Sequence, residues 1–420
     1  MNDSIDASPP APRRRRWLRW LALGLAVLVV GVVAVGWVLY ERLDSNITTD
    51  TETADELARY EKERPTALVA GAQNILIIGS DTRGGPGNGE YGEDSGTQRS
   101  DTTILLHVAA DRRSATAVSL PRDLMATIPS CRRPDGSQTN ERFAQFNWAY
   151  ELAGAACTIR TVENISGIRI NHHVIVDFNG FKRLVDAIDG VEVCLRQPVD
   201  DPEARLRLPA GRQVLRGEAA LGYVRARYSL GNGSDTERMG RQQEFLGSLF
   251  KEMKSNGVLL NPTRLYPVLD AATSSLTTDA GLDTLRKMYD LVRTVRGIPS
   301  ERVQFLTVPR RPYVHNPDRD ELVQPDADQL FGQLRTDHPV SVSANVRAAD
   351  KPGGRLPRET TGPDEPLGLE EPSAAPGTPA TPANPSPASP DSVTSSPASS
   401  PTPSTPPTYE GTTAAHGICG

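Results

Sequence analysis

Asn74-Ile-Leu-Ile-Ile-Gly-Ser-Asp-Thr-Arg83 is an apolar, strand-like run that ends in an acid and an arginine. Two further stretches put acid and arginine beside similar runs: Arg99-Ser-Asp-Thr-Thr103 and Ser119-Leu-Pro-Arg-Asp123. A later segment adds guanidiniums, first in Tyr223-Val-Arg-Ala-Arg-Tyr228 and then in Asp235-Thr-Glu-Arg-Met-Gly-Arg-Gln-Gln243. Arginine presents a planar fork to phosphate oxygens, and a divalent cation such as Mg²⁺ takes its ligands from carboxylates and phosphates. Together these groups suit one anionic ligand of the pyrophosphate kind. A single Ser-Asp-Thr-Arg is more often an ordinary turn capped by its aspartate. The weight lies in the set and its order.

Working outward, β and α patterns alternate. Ile75–Ile78, Thr103–Val108 and Ala115–Leu120 read as strands, as do His173–Asp177, Val191–Cys194 and Val303–Val308. Helices fit 140–154, 158–167, 178–188, 218–224, 234–254, 262–274 and 281–295. This mixed order predicts an α/β fold, a three-layer domain with a central mixed β-sheet flanked by helices. Arg225 and Arg227, two apart, would face one way on a strand, so extended backbone is expected there after the short helix.

Residues 20–40 carry no charge and would make roughly 31 Å of helix, enough to cross a bilayer core. Arg13–Arg16 precede the stretch and acidic residues follow it. The positive-inside rule then puts segment 1–19 in the cytoplasm, a transmembrane signal-anchor at 20–40 and the remainder outside the cell membrane; a cleaved signal peptide is the competing reading, for which the stretch is long and no small-x-small site follows. Residues 41–71 read as an extracytoplasmic stalk lifting the domain away, and 72–345 as the folded domain. Sixteen of the 35 prolines fall in the last 70 residues, where Tyr409 is the only aromatic, so 346–420 is expected to be a disordered Pro/Ser/Thr-rich tail. A net charge of −6 argues against a general nucleic-acid partner. In an exported domain a Cys131–Cys157 disulfide is favoured over buried thiols, although four cysteines allow three full connectivities. His107, His172 and His173 look structural, since neighbours on a strand face opposite ways.

The ordered blocks closely resemble the LytR–CpsA–Psr family over about residues 72–257, and more loosely to about 310. They include Asn74–Arg83, Arg99–Thr102, Ser119–Leu124, the run HHVIVDFNGFKRLV at His172–Val185, Leu206–Ala220, Val224–Leu230 and Asp235–Gln243. The acidic, Gly-rich insertion between Asp81 and Asp101 is longer than in some relatives, which blurs the loop geometry. The resemblance implies a membrane-anchored phosphotransferase that moves a glycopolymer from a polyprenyl-pyrophosphate carrier onto peptidoglycan through a phosphodiester. It also implies a long apolar pocket for the lipid and a Mg²⁺ cofactor, or another divalent cation such as Mn²⁺. Partners would be the lipid-linked glycopolymer, the peptidoglycan acceptor and membrane lipid. By the same resemblance Asp81 and Asp101 are the metal carboxylates. Arg83, Arg122, Arg225, Arg227, Arg238 and Gln242 would bind pyrophosphate, with Arg99 a further candidate, and the catalytic residues would be Arg122, Asp81 and Asp101.

Two other readings share these residues: a polyprenyl-pyrophosphate pyrophosphatase, with water as acceptor, and a non-catalytic regulator that binds lipid-linked glycan. The glycopolymer itself, whether teichoic acid, capsule or arabinogalactan, is not specified by the residues.

Overall fold

The computed structural model describes residues 14–81, 100–226, 235–255, 262–344 and 407–416. A long helix α1 (Arg14–Ser45) leads into a two-residue strand β1 (Thr48–Thr49) and helix α2 (Thr51–Arg59). The first hairpins are β2 (Gln73–Ser80), β3 (Ser100–Val108) and β4 (Ala115–Leu120), then β5 (Met125–Ile128) and β6 (Arg142–Gln145). Helix α3 (Trp148–Ser166), strand β7 (His172–Val176) and helix α4 (Phe178–Ala187) follow. Short strands β8 (Val191–Leu195), β9 (Val199–Asp201), β10 (Leu206–Leu208) and β11 (Gly211–Leu215) pair as two ribbons before α5 (Gly217–Arg225). Next come α6 (Asp235–Ser255), α7 (Pro262–Ser275), β12 (Leu276–Thr278), α8 (Leu285–Gly297) and β13 (Val303–Thr307). The chain then adds the ribbon β14 (Arg310–Tyr313) and β15 (Asn316–Leu322), helix α9 (Asp326–Arg335), β16 (Ser341–Ala344) and β17 (Thr408–Thr413).

Nine strands form one mixed sheet in the order β1-β12-β7-β2-β3-β4-β13-β17-β16. Side chains alternate across it. Leu76, Ile78, Leu105, Val118 and Leu120 enter the core shared with Ile159 and Val162 of α3 and Leu330 and Phe331 of α9. Ile75, Ile104, Ala117 and Phe305 point the other way, against Phe250 of α6 and Ile298. The expected three layers are therefore present. Leu76, Ile78 and Leu105 are fully buried, each contributing about 1.5–3 kcal/mol by removal from water.

Local chemistry sets several helix ends. Asp177 accepts from the Gly180 amide at 2.6 Å to begin α4, and Asp50 accepts from Thr53 N at 3.0 Å to begin α2. Gly180 is also required by packing: a Cβ there would stand 2.6 Å from the Ser275 carbonyl oxygen, so α4 can lie against the end of α7 only without one. The helix expected over 140–154 is instead β6 followed by α3, and the expected break before 158 is a kink at Ala153 and Gly154, whose φ is 66°. The Cys131–Cys157 disulfide ties the loop after β5 to α3, and Cys194 is disulfide-bonded as well.

Two segments depart from the composition-based outline. The expected stalk, 41–71, is packed on the domain rather than separating it from the membrane. Thr48 and Thr49 pair with β12, and Leu43 is 4% exposed. Arg64 donates to Glu163 at 2.7, 2.9 and 3.2 Å, and also to the Ile170 carbonyl at 2.9 Å. Near the other end, Pro-rich composition hides a strand: β17 inserts between β13 and β16, with Tyr409 buried in the core shared by α3 and α9. The apolar part of α1 is exposed from Trp17 to Arg42 and long enough to span a membrane.

Candidate functional site

The site grows from one end of the central sheet. The β2–β3 ladder pairs Gly79 with Thr102 and Ser80 with Ser100, leaving Asp101 as the extra residue of a bulge. Bulges bend a strand and re-aim a side chain, often beside functional sites. Here the bulge turns the half-exposed Asp101 carboxylate toward Arg122, which follows the neighbouring β4, and Arg122 Nη1 donates to Asp101 Oδ1 at 2.8 Å. Asp81 stands just past Ser80 on β2, at the same end. Arg122 Nε also lies 3.4 Å from Asp123 Oδ2, and Gln145 donates to Asp123 at 2.7 Å.

Two helices complete the cluster. Arg225 is the last residue of α5, and its guanidinium stacks 4.4 Å from the centre of the Phe178 ring. This differs from the extended backbone expected at Arg225. The turn of chain comes one residue later, at Ala226, where ψ is 137°. Arg238 and Gln242 are four apart on α6 and so share a face. Arg238 is buried, and Gln242 donates to the Val224 carbonyl at 3.1 Å and to Thr102 Oγ1 at 3.4 Å. That pair of bonds fixes α6 against both α5 and the bulge. Arg83, Arg99 and Arg227 lie outside the described residues.

Asp101, Arg122, Arg225, Arg238 and Gln242 all line one cavity of about 620 Å³. Its interior is apolar, walled by Phe181 of α4, Phe245 and Leu249 of α6, Val268 of α7, and Met288 and Val292 of α8. The size suits a single organic ligand. The arrangement is amphipathic: Asp101 and the guanidiniums of Arg122, Arg225 and Arg238 line it beside a mostly hydrocarbon wall, which Asp177, Asp201, Glu203 and Arg296 interrupt. An anionic head on a long apolar tail matches both.

Asp81 and Asp101 supply two carboxylates at the same sheet end. Among the described residues no cluster of three or more His, Cys, Asp or Glu is placed to hold a metal. Mg²⁺ commonly takes only one or two carboxylates and completes its shell with phosphate oxygens and water. The donor set therefore fits such an ion when a phosphate is present to share it.

Sequence reasoning missed Phe178, the platform under Arg225, and Thr102, which receives Gln242. Both lie inside the quoted blocks, yet only proximity reveals their roles. The histidines are structural partners: His172 Nδ1 lies 3.1 Å from Asp279 and His173 Nε2 3.1 Å from Asp50, on opposite sides of β7. Burial raises the Asp50 carboxyl, but hydrogen bonds from His173 and Thr53 outweigh it and hold the group below the ordinary carboxylate value.

A mixed α/β sheet with an arginine-rimmed apolar cavity defines a class, and comparison with known proteins places the chain in it. Residues 43–336 match the LytR_cpsA_psr family, and the chain belongs to that family. It is 33% identical over 293 residues to a probable cell wall biosynthesis protein, LcpB, of Corynebacterium glutamicum, covering 68% of this chain and 66% of that protein. It is 31% identical over 265 residues to the polyisoprenyl-teichoic acid–peptidoglycan teichoic acid transferase TagU of Enterococcus faecalis, covering 63% of this chain and 79% of the relative. The chain thus spans a little under two thirds of the corynebacterial protein. Among solved structures, the LytR-Csp2A-Psr enzyme from Actinomyces oris superposes with a TM-score of 0.51 at 21% identity, over 64% of this chain and 93% of that one. B. subtilis TagV gives 0.51 at 22% identity, over 64% and 98%. At that identity the two structures speak to the fold alone.

Proposed function

We propose that this protein is a membrane-anchored phosphotransferase that moves a glycopolymer from a polyprenyl-pyrophosphate carrier onto peptidoglycan through a phosphodiester. The carrying observation is the cavity: its wall is mostly apolar, and Asp101, Arg122, Arg225, Arg238 and Gln242 line it together. A polyprenyl chain fits the hydrocarbon walls and a pyrophosphate fits the guanidiniums. The TagU relative is named for teichoic acid and the corynebacterial one for the cell wall, which supports an envelope glycopolymer. The apolar α1 serves as the anchor, with the N-terminus in the cytoplasm and the domain outside.

The acceptor hydroxyl attacks the phosphorus that carries the glycan, forming a new P–O bond. The bond to the bridging oxygen breaks, polyprenyl monophosphate leaves with the electron pair, and the acceptor's hydroxyl proton ends on that phosphate or in solvent. Little covalent chemistry falls to the protein in such a transfer, which depends on positioning and on stabilising the developing charge. Arg122, held by Asp101, and Arg225, held on the Phe178 ring, present fixed donors to the phosphate oxygens. A divalent cation at Asp81 and Asp101, when bound, would add charge neutralisation across the two phosphates. The buried Arg238 lines the same cavity and would add a further guanidinium toward the phosphates.

Incubation of the full-length protein with a synthetic polyprenyl-pyrophosphate donor and peptidoglycan fragments tests this, with Mg²⁺ and with EDTA. Glycan joined to peptidoglycan by a phosphodiester is the expected product. Phosphate release with no glycan attached would identify a hydrolase, and lipid binding without turnover a regulator.

A further inference from the structure

The register of the central sheet says which end of the domain faces the membrane. Thr48 of β1 pairs with Thr277, Thr277 with Ile175, Ile175 with Ile78, Ile78 with Thr103, and Thr103 with Leu120. That row crosses six strands. On one side of it the chain runs back through Asn46 and Ser45 into α1. On the same side, two or three residues along their own strands, stand Asp81, Asp101 and Arg122. The end of the sheet that the anchor enters is the end that carries the reactive groups.

The connection is short and held at several points. Leu43 is buried, Asp44 Oδ1 accepts from the first amide of α8 at 2.8 Å, and Asn46 lies 3.4 Å from Asp270 of α7. Asp50 N donates to the Thr278 carbonyl at 2.8 Å. Helices α7 and α8 and strand β12 are themselves walls of the cavity. From Tyr40, the last residue before charge returns, to Thr48 the chain can rise only about 17 Å, five residues as helix and three extended. The reactive edge lies roughly 10 Å back toward the membrane from the Thr48 row. It therefore stands within about 10 Å of the hydrocarbon boundary, close to the ~5–8 Å depth of the polar layer. Trp148 adds an independent sign. Its neighbour Asn147 donates to the Arg122 carbonyl at 3.0 Å, so Trp148 sits beside this edge, and it is 40% exposed. Tryptophan favours the membrane–water interface.

We infer that α1, β1 and the Asp44–Asp50 contacts form a fixed strut that holds the Asp81–Asp101–Arg122 edge of the domain against the headgroup layer of a lipid bilayer. A lipid-borne pyrophosphate then meets the arginines at the level where the membrane presents it, and its tail passes into the cavity without crossing water. The purpose rests on the whole reading above; the orientation rests only on its membrane-spanning α1.

The test uses full-length protein in phosphatidylglycerol-containing vesicles with headgroup-attached quenchers. Fluorophores are placed by Trp148→Cys at the proposed membrane edge and by Arg113→Cys in the β3–β4 turn at the opposite end of the sheet. Quenching several-fold stronger at position 148 than at 113 is expected, and equal or reversed quenching overturns the proposal. A Gly-Ser linker inserted between Ser45 and Asn46 should bring the two positions to similar quenching. If the difference survives the linker, the strut is not its cause and the proposal also falls. Because quenching needs no turnover, a failed transfer assay and a failed orientation are told apart. In the same vesicles the linker should lower transfer from membrane-embedded donor about tenfold, while a detergent-soluble short-chain donor is used as before.

Discussion

The Asp101–Arg122 contact couples a bulge residue to the end of the next strand, so each side chain orients the other. Arg122→Ala removes a fixed guanidinium from the proposed phosphate position and should lower kcat/KM by the ~2–4 kcal/mol typical of losing one transition-state donor, roughly 30- to 1000-fold. Lysine at 122 keeps the charge but not the fork, so Arg122→Lys should recover only part of that loss. A single-turnover assay with labelled donor checks both. Asp101→Ala removes the closer of Arg122's two carboxylate contacts and one of the two candidate metal carboxylates; it should lower activity and also weaken its dependence on added Mg²⁺. Most of these groups were legible in the sequence because each stands where an apolar run meets acid and arginine. Phe178 and Thr102 were not, since a stacking face and a hydroxyl acceptor have no signature until Arg225 and Gln242 come near them.

Among the elements, the α2 segment and its loop are joined to α3 by charge as well as by packing. Arg64 and Glu163 are 9% and 3% exposed and joined by three hydrogen bonds. Arg64→Ala would leave the buried Glu163 carboxylate without its cationic partner, keeping only the Ile170 amide, which costs about 3–5 kcal/mol. Chemical denaturation of the detergent-solubilised protein should show that loss at neutral pH. Asp50 gives a pH signature. Its folded-state value is depressed, so its stabilisation is present above the ordinary carboxylate value and lost as pH falls through the folded one. Stability should therefore drop below about pH 4, and less steeply in Asp50→Asn. Gly180→Ala would push α4 from the Ser275 carbonyl and widen the cavity at the α4–α7 contact, so polyprenyl affinity should fall before stability does. Binding of a fluorescent polyprenyl phosphate measures it. The central strands were readable because a buried run of aliphatic residues has few other uses. Residues 140–147 misled, since Phe143, Ala144 and Phe146 fit a helical spacing while β5 supplies a partner that only the fold provides.

For the whole molecule, composition marks the limits of folding less well than pairing does. Polar residues 41–71 and the proline-rich end looked like extensions, yet both contribute strands to the central sheet. A fragment covering 66–350 would lose Arg64, β1 and β17 together, leaving β13 without one neighbour and the Tyr409 site empty. It should unfold at markedly lower denaturant than a chain that keeps 41–65 and 407–416, and the two midpoints can be compared directly. Tyr409 was the one warning in the sequence, a lone aromatic among prolines and threonines. The return of β17 also limits what the segment before it can reach. A free tail of the roughly 60 residues in 346–406 would extend about 200 Å at full stretch. Because its ends are fastened to adjacent strands β16 and β17, a segment of that length can bring its midpoint only about 100 Å from the sheet, half the reach of a free tail.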